Sequence, residues 1–208
     1  MTSADAPLTV PAVPQDLDIL SRVIAAAFRD LPPSQWLISD PADRARAFPG
    51  FFRILLDWAM ADGTVTTTPA RDAAALWIPA GTRPPTPPGD YPGRVAAVAG
   101  DRASRFVAFD QTMEEHHPAG AAHEWLAILG VRPDRQGQGA GSALLRSRHR
   151  DLDRAGLGAY LEAASPRARD LYLRHGYVLR PGAPLHLPDD GPPMWSMWRD
   201  PQQPAGRS

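Results

Sequence analysis

The run Leu126-Ala127-Ile128-Leu129-Gly130-Val131-Arg132-Pro133-Asp134-Arg135-Gln136-Gly137-Gln138-Gly139-Ala140-Gly141-Ser142 decides how this chain is read. Its first six residues spell a short apolar strand, and an apolar helix patterned on Leu145 and Leu152 follows from Ser142 to Ala155. Three glycines on alternate residues at the helix entrance let the backbone come close to a ligand, and the first helical N–H groups have no partner inside the helix. The helix dipole adds a field that favours an anion there, so a pyrophosphate is the natural guest. A glycine-rich turn that only lets the chain double back would carry the same spelling.

Downstream, Ala159 to Ala163 predicts a second short strand, Pro166 to His175 a helix ending at Gly176, and Met194 to Trp198 a closing strand. Strand, glycine loop, helix, strand, helix makes a mixed α/β (α+β) sheet whose central unit has parallel strands and a right-handed crossover. Upstream, apolar residues at Leu17, Leu20, Val23, Ile24, Ala27 and Phe28 fall on one helical stripe. A second helix runs through Phe48, Phe51, Phe52, Leu55 and Trp58 to Gly63, with Pro49 starting or kinking it. Thr64 to Thr68 and Ala73 to Ile78 read as a hairpin, and Pro92 to Glu115 as one or two helices broken near Gly100 and Asp101.

The 208 residues suit one domain, with about 1–12 and 201–208 expected to be flexible. Basic residues number 22 against 23 acidic, and the net charge of -1 gives no field for nucleic acid or an acidic membrane. No cysteine is present, which removes disulfides, thiolate metal sites and a thioester intermediate on the enzyme. The amino terminus lacks the basic patch and apolar run of a signal peptide, and no stretch is apolar enough to span a bilayer, so a soluble cytoplasmic protein is expected. His116, His117 and His123 do not have metal-ligand spacing, and no metal is expected.

Gln136-Gly137-Gln138-Gly139-Ala140-Gly141 resembles the Gln/Arg-x-x-Gly-x-Gly/Ala loop of the GNAT superfamily of N-acetyltransferases. Val131-Arg132-Pro133 before it and Ser142-Ala143-Leu144-Leu145 after it are similar to that family as well. So is a second block, Leu161 to Arg167 with Leu171-Tyr172-Leu173-Arg174-His175-Gly176-Tyr177. A finer likeness, to the puromycin N-acetyltransferases, runs through Ala25 to Phe28, Ala75 to Trp77, Arg154 to Gly156 and Trp195 to Met197.

The resemblance implies acetyl-CoA as co-substrate, with fourth and fifth strands that splay to admit its pantetheine arm. Backbone groups of Leu129 and Val131 would pair with the arm, and the loop from Gln136 to Ser142 would hold the pyrophosphate. Tyr172 matches the family tyrosine that protonates the departing thiolate, and Ala168 stands where the family often has an asparagine. The incoming amine must lose a proton before it can attack; Glu124 and His123 are the candidate bases. Asp30 and Trp36 would wall the acceptor site for a cationic amine, an antibiotic or another small molecule. The aromatics near Trp195 and Trp198 would permit a homodimer surface.

Two other functions fit parts of the pattern. A non-catalytic binding protein could keep the coenzyme loop alone. A dinucleotide oxidoreductase could use Glu162 as its ribose-binding acid, but its glycines follow the strand at once as Gly-x-Gly-x-x-Gly, whereas here Arg132 to Gln136 intervene.

Overall fold

The computed structural model describes residues 9–202. It opens with β1 (Val10–Pro11), α1 (Leu17–Phe28), α2 (Pro32–Leu37) and α3 (Pro41–Asp62). The hairpin β2 (Thr64–Thr67) and β3 (Ala73–Ala80) follows, then α4 (Tyr91–Ala99) and α5 (Ala103–His116). The second half is β4 (His123–Val131), α6 (Ala140–Ala155), β5 (Gly158–Ala163) and α7 (Pro166–Arg174). It closes with β6 (Val178–Leu179), β7 (Leu185–His186) and β8 (Pro193–Arg199). The main sheet has the order β1-β2-β3-β4-β5-β8-β6, with β7 beside β8. Among the described residues β4 and β5 are the one parallel pair, which is the mixed α/β sheet expected of the glycine-loop unit.

Strand alternation divides the side chains between two faces. One face packs under α1, α3, α4 and α5, through Leu20, Ile24, Phe52, Leu56, Leu76, Ile78 and Phe106. The other packs under α6 and α7, through Trp77, Leu126, Leu144, Leu145, Leu161 and Met197. On β4 the alternation slips once. Leu76 pairs with Ile128 and Trp77 with Leu126, so Ala127 faces no residue of β3 and the strand carries a β-bulge there. The slip puts Leu126 on the α6 face, Ile128 on the α1 face, and Leu129 and Val131 back against the α6 core.

Several boundaries differ from the sequence reading. The second long helix starts at Pro41, because the Asp40 carboxylate caps it by accepting the Asp43 N–H at 2.8 Å; Pro49 lies inside it. Residues 9–12, expected in a flexible terminus, enter the sheet: Val10 pairs with Thr67, and the Ala12 N–H donates to Val65 at 2.9 Å. At the other end the Gln202 N–H reaches the Asp153 carboxylate at 2.8 Å. The rest of those two termini, 1–8 and 203–208, lies outside the described residues. Among the described residues no helix is long and apolar enough to cross a membrane.

Candidate functional site

The parallel pairing of β4 with β5 is short. It joins His123, Glu124 and Trp125 to Gly158, Ala159 and Tyr160, and then stops. Beyond that level β4 keeps its bonds to β3 as far as Val131, while β5 keeps its bonds to β8 as far as Ala163. Two strand edges therefore face each other unpaired, beginning at the bulge. Such an opening can take an extended amide-bearing chain as a surrogate strand, and Leu129 and Val131 lie along its β4 edge.

The opening leads to the entrance of α6. Gly137 and Gly139 hold φ of 78° and 89°, the left-handed region that a side chain would strain, and Gly139 is the residue from which the helix starts. The first helical bond runs from the Ala143 N–H to the Gly139 carbonyl at 2.9 Å. The amides of residues 137–142 donate to no acceptor among the described residues. Gln136 and Gln138 turn their side chains back onto the loop, donating to the carbonyls of Val131 at 3.2 Å and Asp134 at 3.3 Å. A preformed crown of free N–H groups at a helix start fits a diphosphate. On its flank, His175 hydrogen-bonds the Ser142 hydroxyl at 2.9 Å.

One titratable side chain stands on each side of the opening. Toward α5, Trp125 and Glu162 share a face, and the Trp125 Nε1–H donates to Glu162 Oε2 at 2.9 Å. The other carboxylate oxygen, Oε1, is buried without a partner. Burial pushes Glu162 up to about 7, against the opposing pull of the Trp125 donor. Toward α7, Tyr172 is buried against Tyr177, with ring centroids 5.6 Å apart. Its hydroxyl bonds to no described residue, and burial raises it above the ordinary phenol value, so it stays a neutral donor at physiological pH.

Residues 93–179 match the acetyltransferase (GNAT) domain family. A protein from Corynebacterium glutamicum ATCC 13032, described as histone acetyltransferase HPA2 and related acetyltransferase, is 26% identical with a TM-score of 0.69. That likeness covers 97% of this chain and 99% of the other. This is the GNAT fold. Arylalkylamine N-acetyltransferase 2 from Aedes aegypti shares it at 9% identity and TM-score 0.62, covering 94% of this chain and 99% of that one. The ribosomal-protein-S18-alanine N-acetyltransferase of Escherichia coli has 16% identity and TM-score 0.50, each chain being covered to 97%. The narrower likeness to puromycin N-acetyltransferases finds no support in these matches.

Against the GNAT frame, the remaining predicted residues separate. Glu124 lies on the α6 face, opposite to Trp125, and its Oε1 pairs with the Arg148 guanidinium at 2.8 Å. The Glu124 carboxylate, expected from the sequence as a candidate base, is thus clamped to a guanidinium on the far side of the sheet from Glu162. His123 stands on the Trp125 face, but both ring nitrogens are engaged, Nδ1 with the Ala121 carbonyl at 2.8 Å and Nε2 with His117 Nε2 at 3.1 Å. Burial lowers His123 and takes His117 down to about 3, so the pair is neutral and one ring donates to the other. His116 turns away to the Thr112 carbonyl at 2.8 Å.

Asp30 is solvent-exposed beside Arg29 at 3.5 Å and Arg44 at 3.8 Å. Trp36 is better placed: its Nε1–H donates to the Pro188 carbonyl at 3.2 Å, and it packs against Met113 and Met194 with Phe109. Glu162 was weighed from the sequence only as a ribose acid. The usable signal was period-2 alternation on β5, which sets Tyr160 and Glu162 on one face and Ala159, Leu161 and Ala163 on the other.

Proposed function

We propose that this protein is an acetyl-CoA-dependent N-acetyltransferase that acts on a small-molecule amine by direct attack in a ternary complex. The observation that carries it is the parting of β4 from β5 at Trp125 and Tyr160, in front of the free amides of residues 137–142. Those amides would hold the pyrophosphate, and the backbone of Leu129 and Val131 would pair with the pantetheine arm. Acetyl-CoA supplies an activated acyl carbon. Ala168, where relatives often have an asparagine, packs at the edge of the α6 core and offers the arm no side-chain bond.

Glu162 takes the proton that the incoming ammonium must lose, and Trp125 keeps the carboxylate turned toward the opening. The freed nitrogen forms its bond to the acyl carbon as the carbon–sulfur bond breaks. Tyr172 gives its proton to the departing thiolate, and the second proton that the nitrogen sheds as the amide forms restores the phenol through solvent. An N–H along the β4 edge near Leu129 faces the carbonyl oxygen as charge gathers on it. The face of Trp125 suits a cationic acceptor. An aminonucleoside or another antibiotic amine is one such acceptor.

The test is thiol release from acetyl-CoA with a panel of amines, aminonucleosides included, each reaction confirmed by the mass of the acetylated product. Amine-dependent release supports the reading. Tight acetyl-CoA binding with no release for any amine would make the chain a binding protein instead.

A further inference from the structure

Ser142 ends the crown of free amides, and it is the one residue among 137–142 with a hydroxyl to offer an anion. It stands in the first turn of α6, where Cα–Cβ bonds tilt toward the helix start, so its side chain leans toward those N–H groups. The hydroxyl already has a partner. His175, just past the end of α7, meets Ser142 Oγ through Nε2 at 2.9 Å. A hydroxyl carries one proton, which goes either to an imidazole or to a phosphate oxygen. With the ring proton on Nδ1 alone, Nε2 accepts and the hydroxyl is engaged. With Nε2 protonated, the ring donates to Oγ and the hydroxyl is free to turn.

The groups that face His175 decide which form the free protein holds. From α6 come Arg146, one turn beyond Ser142 on the same face, and the His149 ring at 6.2 Å. His149 meets the Tyr177 hydroxyl at 3.1 Å, and burial takes it down to about 3, so it is neutral. Arg174 stands at the same helix end as His175, and Arg199 acts from β8. The Asp153 carboxylate is engaged by Arg199, at 2.7 and 2.9 Å. The charges that act on His175 are therefore all positive, and burial followed by those arginines holds it below the ordinary imidazole value. Near pH 7 the free protein keeps this ring neutral. A diphosphate on the adjoining amides reverses the local field and favours the imidazolium.

We propose that His175 is a proton-coupled positioning residue for the coenzyme: it takes a proton from solvent at binding, and the Ser142 hydroxyl thereby turns its own proton to a phosphate oxygen. This rests on the reading of the glycine loop as the coenzyme site. The ring gains one proton and the hydroxyl keeps its own, so binding and protonation strengthen each other by the same factor. The bound form holds the proton to a higher pH than the free form, and affinity rises as pH falls through that window.

The experiment is calorimetric titration with 3′-dephospho-CoA, which keeps the diphosphate and lacks the phosphomonoester that would itself titrate in this range. Wild-type heats measured at about pH 6.5 in MES and in imidazole buffer should differ in the sense of proton uptake. Affinity should be about threefold to tenfold tighter at pH 6 than at pH 8, as a rise of up to one pKa unit implies. His175→Gln, which still bonds a hydroxyl, should give equal heats in the two buffers and an affinity flat within about twofold. His175→Arg carries its charge throughout and should bind at pH 8 about as tightly as the wild type at pH 6. Thermal melts check that both variants fold. Equal wild-type heats in the two buffers overturn the proposal, as does a buffer dependence that survives in His175→Gln. Binding of CoA with 3′-dephospho-CoA silent overturns this proposal alone; no heat with CoA itself overturns the coenzyme reading and this one with it.

Discussion

The Trp125 Nε1–H and Glu162 Oε2 meet at 2.9 Å where β4, at its last paired residue Trp125, parts from β5. That bond holds one carboxylate oxygen, while the other, Oε1, is buried with no donor. One fixed and one free oxygen, in a site dry enough to lift the group to about 7, is the arrangement a general base at neutral pH requires.

Removing that base while keeping its shape should be costly. Glu162→Gln retains an acceptor for the Trp125 indole, and kcat/KM for the amine should fall by about 10²- to 10⁴-fold. In the wild type the pH profile should rise with an apparent pKa near 7 and then level off. The variant's residual rate should lack that limb. An unchanged acid limb in Glu162→Gln would assign the titration to another group.

The same residue makes folding pH-dependent. Its proton is held more tightly in the folded chain than at the ordinary value of 4.5, so between 4.5 and about 7 the folded state binds the extra proton. Stability therefore falls as pH rises through that window. Glu162→Gln, with no charge to bury, should exceed the wild type by about 1–3 kcal/mol at pH 8, and the advantage should vanish near pH 4. Urea midpoints at the two pH values measure it.

Tyr172 predicts a different pattern. Its hydroxyl bonds to no described residue and the ring is buried against Tyr177, so Tyr172→Phe removes one oxygen and leaves the packing intact. Turnover should drop by about 10- to 100-fold, while calorimetric affinity for acetyl-CoA stays within about twofold. A variant that turns over at the full rate would take the tyrosine out of the reaction.

What the sequence disclosed and what it hid have distinct physical causes. The strand from Leu126 to Val131, the glycine loop and the α6 helix were legible, because alternation, glycine spacing and helical period are local properties. So was the helix that carries Tyr172, which ends just before Gly176. Glu124 and Glu162 look alike in composition, and nothing local shows which carboxylate lies on the Trp125 side of the sheet. What separates them is which face each strand position presents, and Arg148, twenty-four positions along the chain on α6, claims Glu124. The surroundings of Asp30 were hidden for a similar reason, since the arginines beside it include Arg44 on another helix. The bulge at Ala127, which turns Leu129 and Val131 back toward the α6 face, exists only as a register between β3 and β4. The short strands β6 and β7 hold two residues each, too few to carry a period.

The Glu124–Arg148 pair supplies the control that separates structure from chemistry. Its members sit under the sheet with Glu124 Oε2 and Arg148 Nε both buried and unpartnered, so the pair is poorly satisfied and sensitive to loss of either member. Glu124→Ala strands the guanidinium. Breaking such a pair costs about 3–5 kcal/mol when fully buried, and about 2–4 kcal/mol is expected here because Arg148 keeps some contact with water. The loss should appear as a lower urea midpoint. Turnover per folded molecule should stay within about threefold of the wild type, and the acid limb near pH 7 should persist, since neither depends on a carboxylate on the opposite face from Glu162. If Glu124→Gln instead abolished that limb while folding normally, the proton acceptor would be Glu124, and the ion pair with Arg148 would have to open during turnover.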